Sequence, residues 1–211
     1  MNNSFNQKIL EKAYEWIKHN QKIVIITVVE TWGSSPKPIA SKMIVNENKN
    51  FFGSVSGGCV ESFIIQESLN IIKKNELFKI KKFKVSDESA WNVGLSCGGE
   101  ITVYFKKINF KEKILEQIIQ KKKNKLKFAL LTNLSTGENE IFEEDKPLNK
   151  NFEKFVYQIN SYYRSKKDGI IKDSNIFIEC YNNPIKVIIV GAVHIAQYFT
   201  DFADKFDFEI Y

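Results

Sequence analysis

Cysteine is scarce in this chain. There are three in 211 residues, with no CxxC and no paired Cys/His spacing. That argues against a structural zinc site and fits free thiols in a reducing cytosol. Histidine is scarcer still, with only His19 and His194. No Ser/His/Asp arrangement can be argued from two histidines, and His19 falls in a helical pattern as a surface residue. No apolar run approaches the roughly 18 residues of a membrane span. The start, Met1 to Lys8, has no apolar signal core. A cytoplasmic protein without a membrane span is expected. The charge excess is small, +6 from 31 basic and 25 acidic residues. It is dispersed in short runs such as Lys121-Lys122-Lys123, so no nucleic-acid partner is expected. No internal repeat or low-complexity linker is present.

Glycine is also sparse, ten in all, yet six of the ten fall in two short segments. One is Gly53-Ser54-Val55-Ser56-Gly57-Gly58-Cys59-Val60-Glu61. The other is Gly94-Leu95-Ser96-Cys97-Gly98-Gly99. Two of the three cysteines lie there too. Glycine allows close backbone approach to a ligand, and a cysteine beside it can offer a thiolate. Two such loops suggest one site with two walls.

Hydrophobic residues make up 43% of the chain, enough for one large domain or two small ones. Phe5, Ile9, Ala13 and Ile17 recur at four-residue steps and predict an amphipathic helix. Lys22 to Thr31 is β-branched and almost continuously apolar, which predicts a strand buried on both faces. After the loop Trp32 to Pro38, residues 42–45 and 51–55 read as a hairpin. A helix carrying Val60, Phe63, Ile64, Ile71 and Ile72 follows, which sets Ser56-Gly57-Gly58-Cys59 at a strand-to-helix junction. Residues 78–85 alternate as a half-exposed strand. Ser86 to Gly99 reads as loop, and 100–105 as strand. A helix with Ile114, Leu115, Ile118 and Ile119 precedes a strand at 125–132 and a turn at 134–139. A further helix is expected through Phe152, Phe155, Val156, Ile159 and Tyr163, then a strand at 175–181.

A boundary is placed at Asn182-Asn183-Pro184. Beyond it, a strand at 185–190, a helix opening at Ala192-Val193-His194-Ile195-Ala196 and a strand at 207–211 give β-α-β, the start of a Rossmann-type unit. The fold class expected is therefore α/β. A mixed domain over 1–182 precedes an incomplete Rossmann-like segment over 183–211, truncated or completed by something else. Its exposed apolar surface implies a homodimer or an unstable segment.

Three segments could carry chemistry. The first helix turn after Ser56-Gly57-Gly58 offers unpaired N–H groups and a positive dipole end to an anion, and would lower the pKa of Cys59. The plain alternative is a tight turn with a small buried cysteine. In Glu30 to Lys37, the hydroxyls of Ser34 and Ser35, the Gly33 backbone and the Lys37 ammonium suit an anionic group. The alternative is a rigid connection. In Trp91 to Gly99, Trp91 could stack on a flat ring and Cys97 supply a thiolate. The alternative is a structural loop with a core tryptophan. Gly191-Ala192-Val193-His194-Ile195-Ala196 is a weakened dinucleotide fingerprint with Val193 in place of a glycine. Glu209 is the candidate ribose ligand.

These motifs together resemble the XdhC/CoxI family, the xanthine dehydrogenase accessory proteins and their carbon monoxide dehydrogenase relatives. Thr31 to Lys37, Lys42 to Val45 and Gly53 to Glu61 are similar to that family's N-terminal domain. Gly94 to Gly99 resembles its second signature, and Val187 to Gln197 the opening of its C-terminal Rossmann domain. Ala40 departs from the pattern, standing where glycine is expected. Residues 107–180 carry no matching motif.

The resemblance implies a maturation factor, more a cofactor-binding chaperone than a turnover enzyme. It would bind the molybdenum cofactor (Mo-molybdopterin) transiently, assist its sulfuration and deliver it to a molybdenum hydroxylase client. A cysteine desulfurase is a further candidate partner. The cofactor-binding set is Gly33, Ser34, Ser35, Lys37, Ser56, Gly57, Gly58, Cys59, Glu61, Trp91, Cys97, Gly98 and Gly99. Cys59 and Cys97 are the candidates for metal or sulfur contact. The competing readings are an NAD(P)-type oxidoreductase or nucleotide-binding protein using the Rossmann segment, and an interaction protein that has lost its site.

Overall fold

The computed structural model describes residues 3–33, 35, 37–58, 60–85, 99–109, 112–191, 193–203 and 208–211. The elements in chain order are α1 (Asn3–Lys18), β1 (Ile23–Gly33), β2 (Lys42–Asn46), β3 (Phe51–Gly53), α2 (Glu61–Lys74), β4 (Phe78–Val85), β5 (Gly99–Ile108), α3 (Ile114–Lys123), β6 (Phe128–Asn133), β7 (Asn139–Phe142), α4 (Lys150–Glu153), α5 (Val156–Arg164), β8 (Gly169–Ile170), β9 (Ile176–Tyr181), β10 (Ile185–Val187), α6 (His194–Ala203) and β11 (Phe208–Ile210). The protein is α/β.

A five-stranded sheet runs β3-β2-β1-β5-β4, and a four-stranded sheet runs β7-β6-β9-β8. Every pairing within both is antiparallel. Strand β1 is buried on both faces over Ile23–Val29, as its sequence predicts, but not through parallel pairing. Its alternate residues serve two layers. Val24, Ile26 and Val28 pack with Met43, Val45, Val103, Phe105 and, from α2, Ile64 and Ile71. Ile23 and Ile25 face the other way, into a core with α1, α3, Phe128 and Tyr181. The outer face of the second sheet, through Ala129, Leu131, Ile178 and Cys180, is covered by Phe152 of α4 and Ile159 of α5. The order of layers is helix, sheet, sheet, helix, with α1 and α3 in the core between the sheets.

Some local departures have physical causes. The helix expected through 152–163 is broken, because Phe155 (φ −109°, ψ 12°) leaves helical geometry between α4 and α5. Strands β7 and β8 are four and two residues long, too short for a legible alternation. Beyond Pro184, β10 and β11 pair in parallel on either side of α6, which is the β-α-β expected. Strand β10 ends at Val187, so Ile188 to Val190 are not strand. Ile188, Val190 and Ile195 are each at least three-quarters exposed.

A buried ion pair joins the two sheets. The Lys42 ammonium lies 2.7 Å from the Glu179 carboxylate and donates to the Thr27 hydroxyl at 3.1 Å. Both charged side chains are almost wholly buried.

Candidate functional site

Antiparallel topology carries the strand ends that flank the three motif-bearing segments to one end of the five-stranded sheet. Gly33, the last residue of β1, pairs with Gly99, the first of β5. Val85, the last of β4, flanks Gly99 on its other side. The connection 34–41 therefore leaves from the same end as the segment 86–98. Gly53, the last of β3, pairs with Met43 near the start of β2, so Ser54 to Val60 departs there as well. Ser34, Cys59, Trp91, Cys97 and Gly98 lie outside the described residues. Of the others, Lys37 is half-buried, and its carbonyl accepts a hydrogen bond from Ser35 Oγ at 2.9 Å. Ala40, at the glycine position of the resemblance, has φ +67° and is buried against Val29, Tyr104 and Phe177.

The loop before α2 is built around Glu61. The carboxylate accepts from the Ser54 hydroxyl (2.7 Å), the Ser56 N–H (3.0 Å), the Ser56 hydroxyl, the Gly58 N–H (2.9 Å) and the Val60 N–H (3.3 Å). Burial pushes this carboxyl's pKa up. The hydrogen bonds from the Ser56 and Ser54 side chains and the Ser56 N–H outweigh it and hold the pKa at about 2. An acidic residue in the first helical turn also suits the positive end of the helix dipole. The Gly57 N–H is taken by the Ser54 hydroxyl at 3.0 Å. Both glycine amides expected to face an anion are thus engaged by the chain's own side chains. An external anion would reach the Gly58 amide only as Glu61 moves aside. The sequence shows Glu61 as a motif residue but gives no signal that it folds back on its own loop.

A second feature at this end was not legible as a site. Strand β1 carries a bulge. Val28 pairs with Val103, but Glu30 pairs with Thr102, so one extra residue is inserted. Bulges re-aim the side chains that follow them. Val103 and Ile101 face α2, so Thr102 and Glu100 face away from it. Glu30 and Trp32, their register partners, do the same. Lys82 and Lys84 of β4 pair with Thr102 and Glu100 and share that face. Together they line an open cleft of about 350 Å³. Trp32 is 70% exposed. Glu100 is ion-paired with Lys82 and lies 3.4 Å from Lys84. The hydrogen bond from Lys82, the largest influence, lowers the pKa of Glu100, and the same bond raises that of Lys82. A signal for Trp32 existed in the sequence: a large aromatic at a strand's end, between Thr31 and Gly33.

Other groups have structural roles. Burial pushes the Cys180 thiol up to about 12, so it stays protonated inside the second sheet's core. Glu209 is ion-paired with Lys125, which occupies the carboxylate considered for a ribose. Among the described residues no group of three or more His, Cys, Asp and Glu could hold a metal. Nor is any described helix long and apolar enough to cross a membrane.

Residues 16–81 match the model of the family described as XdhC and CoxI family. The molybdenum cofactor insertion chaperone PaoD of Escherichia coli K12 is 30% identical over 111 residues, which is 52% of this chain and 34% of PaoD. The uncharacterized protein YqeB of the same organism is 27% identical over 96 residues, 46% of this chain and 17% of YqeB. The chain thus spans about a third or less of the length of these curated relatives. A crystal structure described as a xanthine dehydrogenase from Bacillus halodurans superposes with a TM-score of 0.68 at 19% identity, covering 95% of this chain and 61% of that one. At that identity the likeness is one of fold.

Proposed function

We propose that this chain, whose residues 16–81 match the XdhC and CoxI family model, binds the molybdenum cofactor as cargo and assists its maturation and insertion into a molybdenum hydroxylase. The observation that carries this reading is that Gly33, Gly53, Val85 and Gly99, the described residues from which segments 34–41, 54–60 and 86–98 depart, lie at one end of the sheet. The name of PaoD, an insertion chaperone for the same cofactor, supports it.

The cargo combines a flat pterin, a dithiolene-bound metal and a phosphate. Cys59 and Cys97 belong to two of these segments in sequence and have the soft-donor chemistry that suits molybdenum or transferable sulfur. Lys37 provides a cation for the phosphate. Glu61 shapes the glycine loop and leaves its Gly58 amide to an anion only by displacement. Transfer of sulfur from a cysteine desulfurase and action as a homodimer complete the reading. Turnover chemistry is not part of it.

The test is cofactor retention. The protein is isolated from a molybdopterin-producing host, and the oxidised pterin released from it is measured by fluorescence. Wild type should carry pterin, and Cys59→Ser and Cys97→Ser should each carry less. Wild type without pterin sinks the proposal, and undiminished pterin in both variants removes the thiols from it.

A further inference from the structure

We propose that the bulge-built cleft on β1, β5 and β4 is a seat for a planar 2-amino-4-oxo heterocycle with an anionic tail, in which Trp32 stacks on the ring, Glu30 reads its amino edge and Lys82 and Lys84 hold the tail. The inference deepens the cofactor reading above and rests on it for the choice of a pterin over other heterocycles.

The register fixes the layout. Two rows cross the three strands on one face, Glu30–Thr102–Lys82 and Trp32–Glu100–Lys84. Adjacent strands lie about 4.8 Å apart, and residues two apart on a strand about 6.8 Å. Trp32 and Glu30 are therefore separated by about the length of a fused bicyclic ring. Lys84 lies two strands, about 10 Å, from Trp32. A ring resting on Trp32 can direct one edge toward Glu30 and its substituent across the sheet toward the lysines.

The chemistry of each corner is distinct. An indole 70% exposed on a paired strand is an ordered stacking platform, and such stacking is sequence-tolerant because any flat ring has a π face. A carboxylate is an acceptor only. It matches both the ring N–H and the amino donor of a 2-amino-4-oxo ring, whereas a 6-aminopurine offers it an amino donor beside a ring-nitrogen acceptor. Glu30 accepts from Thr102 Oγ1 at 3.2 Å, which steadies it at the cleft. Glu100 already faces two ammonium groups. Two cations sharing one carboxylate leave that corner positive, as an anionic tail requires. The bulge is the structural cause, because without it Glu30 and Trp32 would point toward the α2 face.

Guanine and pterin share the ring edge, so the test separates them. Pterin-6-carboxylate, guanosine monophosphate, adenosine monophosphate and inorganic phosphate are titrated into the full chain by calorimetry. The two 2-amino-4-oxo ligands should bind about 5- to 100-fold tighter than adenosine monophosphate. The better of the two identifies the source. Trp32→Ala should weaken them roughly 5- to 100-fold, and Trp32→Phe far less. Glu30→Gln should weaken the 2-amino-4-oxo ligands more than adenosine monophosphate and so reduce the preference between them. Circular dichroism checks the fold. If Trp32→Ala is unfolded, Trp32→Phe and Glu30→Gln decide. Equal binding of guanosine and adenosine monophosphates, unchanged affinity in Trp32→Ala, or phosphate binding as tightly as the ring ligands would overturn the proposal. Pterin co-isolating from the host after such a result leaves the cofactor reading standing with a different seat. Ring binding in vitro by a protein that carries no pterin leaves the seat and removes the cargo.

Discussion

Replacing Glu61 by Gln tests whether a half-buried carboxylate organises the glycine loop. The side chain keeps its size but loses its charge and one of its two acceptor oxygens. The folded carboxyl has its pKa lowered from 4.5 to about 2. At about 1.36 kcal/mol per pKa unit, the whole shift corresponds to roughly 3.4 kcal/mol. Glu61 is only half-buried, so solvent screening reduces this to about 1.5 kcal/mol. In Glu61→Gln the new amide NH₂ also meets donors. Gly58 N–H loses its acceptor and turns to water, while Val60 N–H keeps the Ser56 hydroxyl at 3.1 Å. A loss of about 1.5–2.5 kcal/mol at pH 7 is expected, or about 4–8 °C in Tm. The sign of the pH dependence follows from linkage. The folded pKa is depressed, so the contribution is complete above the unfolded value of 4.5. It falls away as pH drops toward 2. Urea melts of wild type and Glu61→Gln at pH 7, 4.5 and 3 should therefore converge as pH falls. A difference that is absent at pH 7, or the same size at pH 3, would refute the reasoning.

Two further substitutions test the frame around the site. Gly53 has φ +93°, and a Cβ there would lie 2.5 Å from the Lys42 carbonyl oxygen and 2.8 Å from Ile9 Cδ1. Gly53→Ala should cost about 3 kcal/mol, read as a lower urea midpoint; a midpoint within error of wild type would contradict it. Lys42→Met strands the buried Glu179 carboxylate and should cost about 3–5 kcal/mol, whereas Lys42→Met with Glu179→Leu should recover most of that loss. A double variant as unstable as the single one would show that the pair is not what couples these positions.

The legible parts of the fold are those where one periodicity sets one element. Ile23 to Val29 announces a doubly buried strand, and Val60, Ile64 and Ile71 announce the helix that covers it. What carries no local signal is what depends on distant partners. Lys42 and Glu179 are 137 residues apart in sequence, and nothing near either marks it as buried. The bulge at Val28–Glu30 exists only relative to Thr102 and Val103, so the orientation of Trp32 could not be read beforehand. Gly57 and Gly58 were legible as loop formers. Their amides' engagement with Ser54 and Glu61 depends on side chains that sequence spacing alone does not orient. Ala40 shows the reverse case, since its departure from glycine is visible in sequence and its positive φ explains why glycine suits that position.

The strand order β3-β2-β1-β5-β4 has a consequence for how the chain assembles. The family-matched stretch, residues 16–81, ends within β4. Among the described residues the only neighbour of β4 in the sheet is β5, at 99–108, and β5 also separates β4 from β1. On an emerging polypeptide, β1, β2 and β3 can form a hairpin-linked ribbon early, but β4 gains its described partner only when β5 has followed it. Insertion of β5 between strands made before it is a non-local step, and such steps slow folding. The stretch most recognisable by sequence is therefore not a unit that can close its own sheet. The interval in which β4 waits for β5 is when its edge is open to pairing with other chains.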